Sequence, residues 1–76
     1  MDVIVTRSPD GRAWILTDLL GRPMGAITEE GGAFSIEALG EAVETMTAVK
    51  RGPHRSLDDA LAEIERRTRG VCRRSV

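Results

Sequence analysis

Four short runs of β-branched and apolar residues, separated by turn signals, occupy the first half of the chain. The runs lie at 3–6, 12–18, 24–29 and 33–36. The segment 8–11 favours a tight turn, because Pro9 presets φ at its second position and Gly11 accepts a positive φ. Glycine and proline interrupt the pattern again at 19–23 and 30–32. Turns at such short spacing predict a small antiparallel β-meander of three or four strands.

The stretch 56–70 has the sequence features of a helix from its beginning to its end. Ser56 is a favourable N-cap, and Asp59 can complete a capping box three residues later. Acidic residues begin the stretch and arginines end it, which matches the helix dipole, and Gly70 is typical of the left-handed residue that follows a helix. Apolar positions recur at helical spacing: Leu57, Ala60, Leu61, Ile64 and Thr68. The solvent side is expected to carry two i,i+4 ion pairs, Glu63–Arg67 and Glu65–Arg69.

The segment 38–50 is compatible with either a helix or a strand. As a helix it places an apolar stripe, which includes Leu39, Val43 and Met46, on one face. As a strand, its second half alternates and contains two threonines, which favour sheet. Gly40 also costs a helix interior about 1 kcal/mol relative to alanine. The helical stripe is the longer pattern, and a second helix at about 38–50 is therefore predicted.

Size limits how the domain can be stabilised. The chain has 76 residues, and we predict a single α+β domain over 1–71 followed by a basic C-terminal tail at 72–76. A core of this size rarely supplies more than about 3–5 kcal/mol. One cysteine, Cys72, excludes an intrachain disulfide, and one cysteine with one histidine is a poor ligand set for a self-contained zinc site. No metal or cofactor is predicted, and self-association is the leading candidate for additional stability.

The first predicted hairpin is apolar on both of its faces. Apolar residues are consecutive at 3–5 and again at 14–16, and neighbours in a strand point to opposite faces. Short helices can cover one face, while a monomer seldom leaves an apolar face exposed. A homodimer is therefore expected, through the second sheet face or the 39–49 stripe. The alternative is that arginine stems and the 19–23 loop fold over that face. The candidate interface residues are Ile4, Trp14, Leu16, Leu39, Val43 and Met46.

Charge is nearly balanced overall but unevenly distributed. The net charge is −1, yet five arginines and no acidic residue follow Glu65. Guanidinium groups bind phosphates bidentately, so a nucleic-acid-binding surface is an alternative function. Its candidate anion contacts are Arg66, Arg67, Arg73 and Arg74. Helix-dipole matching and solubility explain the same arginines without a ligand, and nucleic acid is therefore possible but not favoured.

Candidate catalytic groups are sparse. The chain has no nucleophile elbow, phosphate-binding loop or His-Glu-x-x-His motif. His54 has no carboxylate close to it in sequence that would orient it, and we interpret it as a solvated loop residue. Adjacent arginines can lower the pKa of a thiol such as Cys72, but a small buried or inert residue is the favoured interpretation. These features predict a protein that is not an enzyme.

The predicted localisation depends on two features that are not seen in the sequence, a membrane-spanning apolar run and a secretory signal. No apolar run approaches the ~20 residues that cross a bilayer, and the N-terminus lacks the features of a secretory signal. A single cysteine fits a reducing compartment. The sequence therefore predicts a small cytoplasmic protein-interaction or regulatory module, homodimeric, with a further protein partner possible and no membrane association.

Overall fold

The structure is a computed structural model that describes residues 2–39 and 49–74. In this part of the chain, a mixed five-stranded sheet packs against one helix. The strands are β1 (Asp2–Arg7), β2 (Ala13–Thr17), β3 (Pro23–Glu30), β4 (Ala33–Ala38) and β5 (Val71–Arg74), and the helix is α1 (Leu57–Thr68). The predicted α+β class is confirmed, with one strand more than expected.

The sheet has the strand order β4-β3-β2-β1-β5, and the first four strands form the predicted antiparallel meander. Their boundaries follow the turn residues. In the first turn, the amide of Gly11 donates to the carbonyl of Ser8 at 2.9 Å, and Gly11 has φ 73°. This positive φ is the one that the sequence required of a glycine at that position.

The fifth strand was not expected from the sequence. Residues 72–74, which the sequence analysis assigned to a tail, form most of β5. This strand pairs with β1 in parallel, with Cys72 opposite Val3. A parallel neighbour needs a crossover connection, and α1, which ends just before β5, returns the chain to the correct end of the sheet. Val71 is therefore the first residue of a strand.

The core lies between α1 and one face of the sheet. Alternate residues of the strands point to the helix and most of the apolar ones are buried, and the helix contributes residues of its predicted apolar stripe. The buried apolar set is Val3, Val5, Leu16, Met24, Ile27, Ile36, Val49, Ala60, Leu61 and Ile64. Trp14 and Phe34 pack at its border, with ring centroids 5.5 Å apart. This face of the sheet is thus shielded by the chain itself.

The N-terminal end of α1 agrees with the sequence prediction, whereas its C-terminal end differs by one residue. The hydroxyl of Ser56 accepts a hydrogen bond from the Asp59 amide at 3.1 Å, as the N-cap prediction requires. At the other end, the left-handed residue is Arg69, with φ 56°, and not Gly70. The reason is a local one: Thr68 closes the helix early, because its hydroxyl donates to the carbonyl of Ile64 and accepts from the Gly70 amide.

The predicted second helix falls mostly outside the described residues. Of the predicted span 38–50, Ala38 is the last residue of β4, and Val49 is buried in the core. Gly40, Val43 and Met46 are not among the residues that the structure describes. The choice between helix and strand for this segment therefore remains a sequence-based prediction.

Candidate interaction surface

One face of the sheet packs against α1. No other part of the described chain packs on the opposite face, and we call that face the open face. Strand alternation places a defined set of side chains on it. They are Asp2, Ile4 and Thr6 on β1; Ala13, Ile15 and Thr17 on β2; Ala26, Thr28 and Glu30 on β3; Ala33, Ser35 and Glu37 on β4; and Val71 and Arg73 on β5.

The centre of the open face is uncharged and partly apolar. Ile15, on the middle strand, is 40% exposed, and Val71 is 49% exposed. Ile15 is flanked across the strands by Thr6 and Ala26, so small side chains surround it. Ile4 is half-buried beside it. Aliphatic side chains held on a sheet and open to solvent are typical of a surface that another chain can cover.

Charged side chains lie at the two lateral strands of the open face, and their signs are opposite. Glu37 is on β4 at one side and is exposed. Arg73 is on β5 at the other side, with its side chain 65% exposed. The Arg73 Nε lies 3.5 Å from a carboxylate oxygen of Asp2, a long contact on the same face. The face therefore carries acidic side chains on β3 and β4, Arg73 together with Asp2 on the opposite side, and an uncharged centre on β2.

Both edges of the sheet carry contacts made by the chain itself, several along β4 and one along β5. Along β4, the Ile36 amide donates to the Arg51 carbonyl at 2.7 Å. Phe34 and His54 exchange two backbone hydrogen bonds, at 2.9 and 2.8 Å. Along β5, the Cys72 amide donates to the carboxylate of Glu65 at 2.8 Å. A partner that added a strand would have to displace these contacts, so the open face is the more accessible surface.

The residues predicted to form a dimer interface are divided by the structure. Ile4 lies on the open face, but Leu16 is 0% exposed within the monomer core and is not accessible to a second chain, contrary to the expectation. Trp14 points to the α1 side and is half-buried against Phe34. Leu39 follows β4 and is 43% exposed. Val43 and Met46 lie outside the described residues.

Sequence reasoning missed Ile15 and Val71 on this surface. The apolar run Trp14-Ile15-Leu16 indicated two apolar faces, but not which residue belongs to which face. The alternation is fixed by the core, because Leu16 packs inward and Ile15 must then point outward. Val71 gave no such signal, since its strand was not predicted. A pattern centred on Leu16 as the buried residue would have identified Ile15.

The four arginines proposed as anion contacts do not form one surface. Arg66 and Arg67 both contact Glu63, the latter at 3.0 Å. Arg73 is on the open face beside Asp2, and Arg74 contacts Asp58 near the start of α1. Each guanidinium is therefore next to a carboxylate of the same chain. This local pairing reduces the positive potential that a phosphate backbone would meet.

Glu63 is buried, although the sequence analysis placed it on the solvent side of the helix. Its side chain is 4% exposed. It accepts hydrogen bonds from the Lys50 amide and from Arg67, both at 3.0 Å, and from Arg66. The Lys50 amide, followed by Arg66, lowers the pKa of this carboxyl to about 2. The ion pair with Arg67 was predicted correctly, and the hydrogen bond from the Lys50 amide in addition connects the segment at Lys50 to α1.

The two residues considered for chemistry have structural contacts. His54 is half-buried, and its Nε2 is 2.7 Å from the carbonyl oxygen of Lys50. Cys72 is half-buried, and burial, followed by the charge of Glu65, raises the pKa of its thiol to about 11. The thiol is then protonated at neutral pH, the less reactive form. Among residues 2–39 and 49–74, no three His, Cys, Asp or Glu side chains cluster as metal ligands would.

Comparison with protein-family models, with curated proteins and with solved structures finds no match to this chain. Its described residues include no helix with the length and apolar character needed to cross a membrane.

Proposed function

We propose that this chain is a small, non-catalytic, cytoplasmic interaction or regulatory module that acts as a homodimer through the open face. The observation that supports this most directly is the exposure of Ile15 and Val71 on a sheet face that α1 does not cover. Since the same chain buries the other face and contacts both edges, the open face is the surface on which an additional chain would bury apolar area.

The absence of a catalytic role is supported by how the reactive side chains are used. The thiol of Cys72 is held protonated, and His54 contacts a backbone carbonyl. Glu63, whose pKa is lowered, is occupied by three donors and is held in its ionised form at neutral pH. None of these groups combines an unoccupied reactive atom with a neighbouring base.

The alternative of nucleic-acid binding through the C-terminal arginines has less support, because all four guanidinium groups have acidic neighbours. This alternative can be tested directly. Binding through these arginines would give retention on heparin or DNA at low salt that falls steeply as salt is raised. Its loss on replacement of Arg66, Arg67, Arg73 and Arg74 by alanine would support this alternative, and absence of any retention would exclude it.

The dimer is tested by size-exclusion chromatography with light scattering across the micromolar range. We expect the wild-type protein to be a dimer. The variant Ile15→Lys places a charge at the centre of the open face and should be a folded monomer, with folding checked by circular dichroism. A matched control is Leu20→Lys, because Leu20 is 79% exposed in the β2–β3 connection and off the sheet.

The outcomes separate clearly. Dimeric Leu20→Lys with monomeric Ile15→Lys would support the proposal, since both variants exchange an exposed aliphatic side chain for lysine. A wild-type protein that stays monomeric throughout this range would overturn it. A dimer that Ile15→Lys does not weaken would place the interface elsewhere.

A further inference from the structure

The strand register of the open face restricts how a second copy could lie on it. Glu37, Ala26, Ile15 and Thr6 form one row across β4, β3, β2 and β1. Thr17, Ile4 and Arg73 form the next row across β2, β1 and β5. Glu37 therefore lies two strands from the central β2 on one side, and Arg73 lies two strands from it on the other side. Along the strand direction, the two residues are only one row apart.

We infer that two copies pack open face to open face about a twofold axis that runs parallel to the strands and over β2, so that Glu37 of each copy meets Arg73 of the other. This inference rests on the proposed homodimer and adds its geometry. The occupant of the face is thus a second copy of this chain, and the charges at the sides of the sheet select its orientation.

Symmetry explains why the orientation matters. Two sheets that pack face to face through identical surfaces need a twofold axis lying between them. If the axis runs along the strands, β4 of one copy lies over β5 of the other, and opposite charges meet. If it runs across the strands, β4 lies over β4 and β5 over β5, so Glu37 meets Glu37 and Arg73 meets Arg73. The first arrangement is electrostatically complementary and the second is not.

Side-chain size is consistent with the same arrangement. With the axis over β2, the Ile15 side chains of both copies meet near the centre. Strand β1 of one copy then lies over β3 of the other, which places Thr6 over the small Ala26 in the same row. Small side chains at this position allow the two sheets to approach closely. Arg73 and Glu37 differ by one row, roughly 7 Å along the strands.

The long Arg73 side chain can cross this offset. Its contact with Asp2 within the monomer is long, at 3.5 Å, and most of its side chain is exposed. An exposed ion pair of this kind contributes little to stability. The guanidinium can therefore turn toward a carboxylate of a second copy without a large loss in its own chain.

Reversal of single charges tests the geometry. In the inferred dimer, Glu37→Arg brings two arginines together at each contact, and Arg73→Glu brings two acids together. Each variant alone should weaken dimerisation by about tenfold or more, as measured by sedimentation equilibrium. Mixing the two variants should restore a heterodimer of near wild-type affinity, because both contacts then join Arg with Glu. The control Glu29→Arg reverses an exposed acid on β3 that is off the open face and should have no effect.

The results distinguish this inference from the proposal on which it rests. If the wild-type protein is dimeric and Ile15→Lys disrupts it, but neither charge reversal weakens the dimer, the homodimer stands and the strand-parallel axis is wrong. If both reversals weaken it and the mixture does not recover, the contact between Glu37 and Arg73 is refuted. A monomeric wild-type protein removes both the geometry and the dimer.

Discussion

At the scale of single residues, Glu63 shows how a local pattern can be correct and its environment unexpected. Its spacing from Arg67 predicted an ion pair, and the structure contains that pair. The spacing could not show that the Lys50 amide, thirteen residues earlier, also donates to the same carboxylate. This contact depends on where the segment before α1 is placed by the sheet. Burial of Glu63 is therefore a tertiary effect that no helical pattern contains.

The lowered pKa of Glu63 predicts a specific pH dependence. The folded protein holds this pKa at about 2, below its ordinary value of 4.5. A carboxyl with a depressed pKa in the folded state favours folding above the unfolded pKa, and this contribution is lost as pH falls toward the folded pKa. We therefore expect Glu63→Gln to be less stable than wild type at neutral pH, with a difference that shrinks between pH 4.5 and 2.

Urea unfolding at several pH values and a single protein concentration checks this expectation. A suitable control is Glu29→Gln, which removes an exposed carboxylate from β3 away from the open face and should leave the pH dependence close to that of wild type. A Glu63→Gln variant that lost stability in parallel with wild type at every pH would show that ionisation of Glu63 contributes nothing to folding.

At the scale of secondary-structure elements, the sequence predicts those whose signals are local. Strands β1 to β4 are bounded by proline and glycine turns, and α1 begins at a serine cap, so each boundary follows from nearby residues. Strand β5 has no such signal. Its four residues, three of them exposed, become a strand only because α1 carries them to the edge of β1. Its existence depends on the packing of the whole domain.

The C-terminal end of α1 provides a stability prediction. Arg69 adopts φ 56°, a left-handed conformation that costs an L-residue with a Cβ roughly 1–2 kcal/mol. Arg69→Gly removes this cost, but glycine adds about 0.4–1 kcal/mol of unfolded-state entropy. We expect a net stabilisation of up to about 1.5 kcal/mol in urea unfolding. Arg69→Ala is the matched variant: it also removes the guanidinium but keeps the Cβ, and an equal gain from it would contradict the explanation.

At the scale of the whole molecule, the faces and edges of the sheet differ in how far the rest of the chain covers them. One face is covered by α1, the 51–54 segment contacts the edge at β4 and Glu65 contacts the edge at β5, while the open face keeps Ile15 and Val71 in contact with solvent. Unprotected edges promote uncontrolled association, because they offer a row of unpaired backbone groups. The sequence predicted that two sheet faces would be apolar, but the contacts at the edges depend on the positions of the 51–54 segment and Glu65.

Protection of β5 by Glu65 leads to a prediction about aggregation. The Glu65 carboxylate accepts the hydrogen bond of the Cys72 amide, so Glu65→Ala leaves that backbone donor available to a strand from another molecule. We expect this variant to form species larger than the wild-type assembly, in amounts that increase with protein concentration. Static light scattering after incubation at high concentration measures this growth.

A matched substitution separates loss of the acceptor from loss of charge. Glu65→Gln removes the negative charge but retains a side-chain oxygen that can accept the same hydrogen bond, and it should scatter light much as wild type does. Aggregation of both variants to the same extent would attribute the effect to charge and solubility. Aggregation of neither would show that the edge of β5 is protected in another way. If only Glu65→Ala forms larger species, the side-chain oxygen of Glu65 is the group that prevents open-ended association through the edge of β5. Association of the wild-type protein would then be limited to the open face.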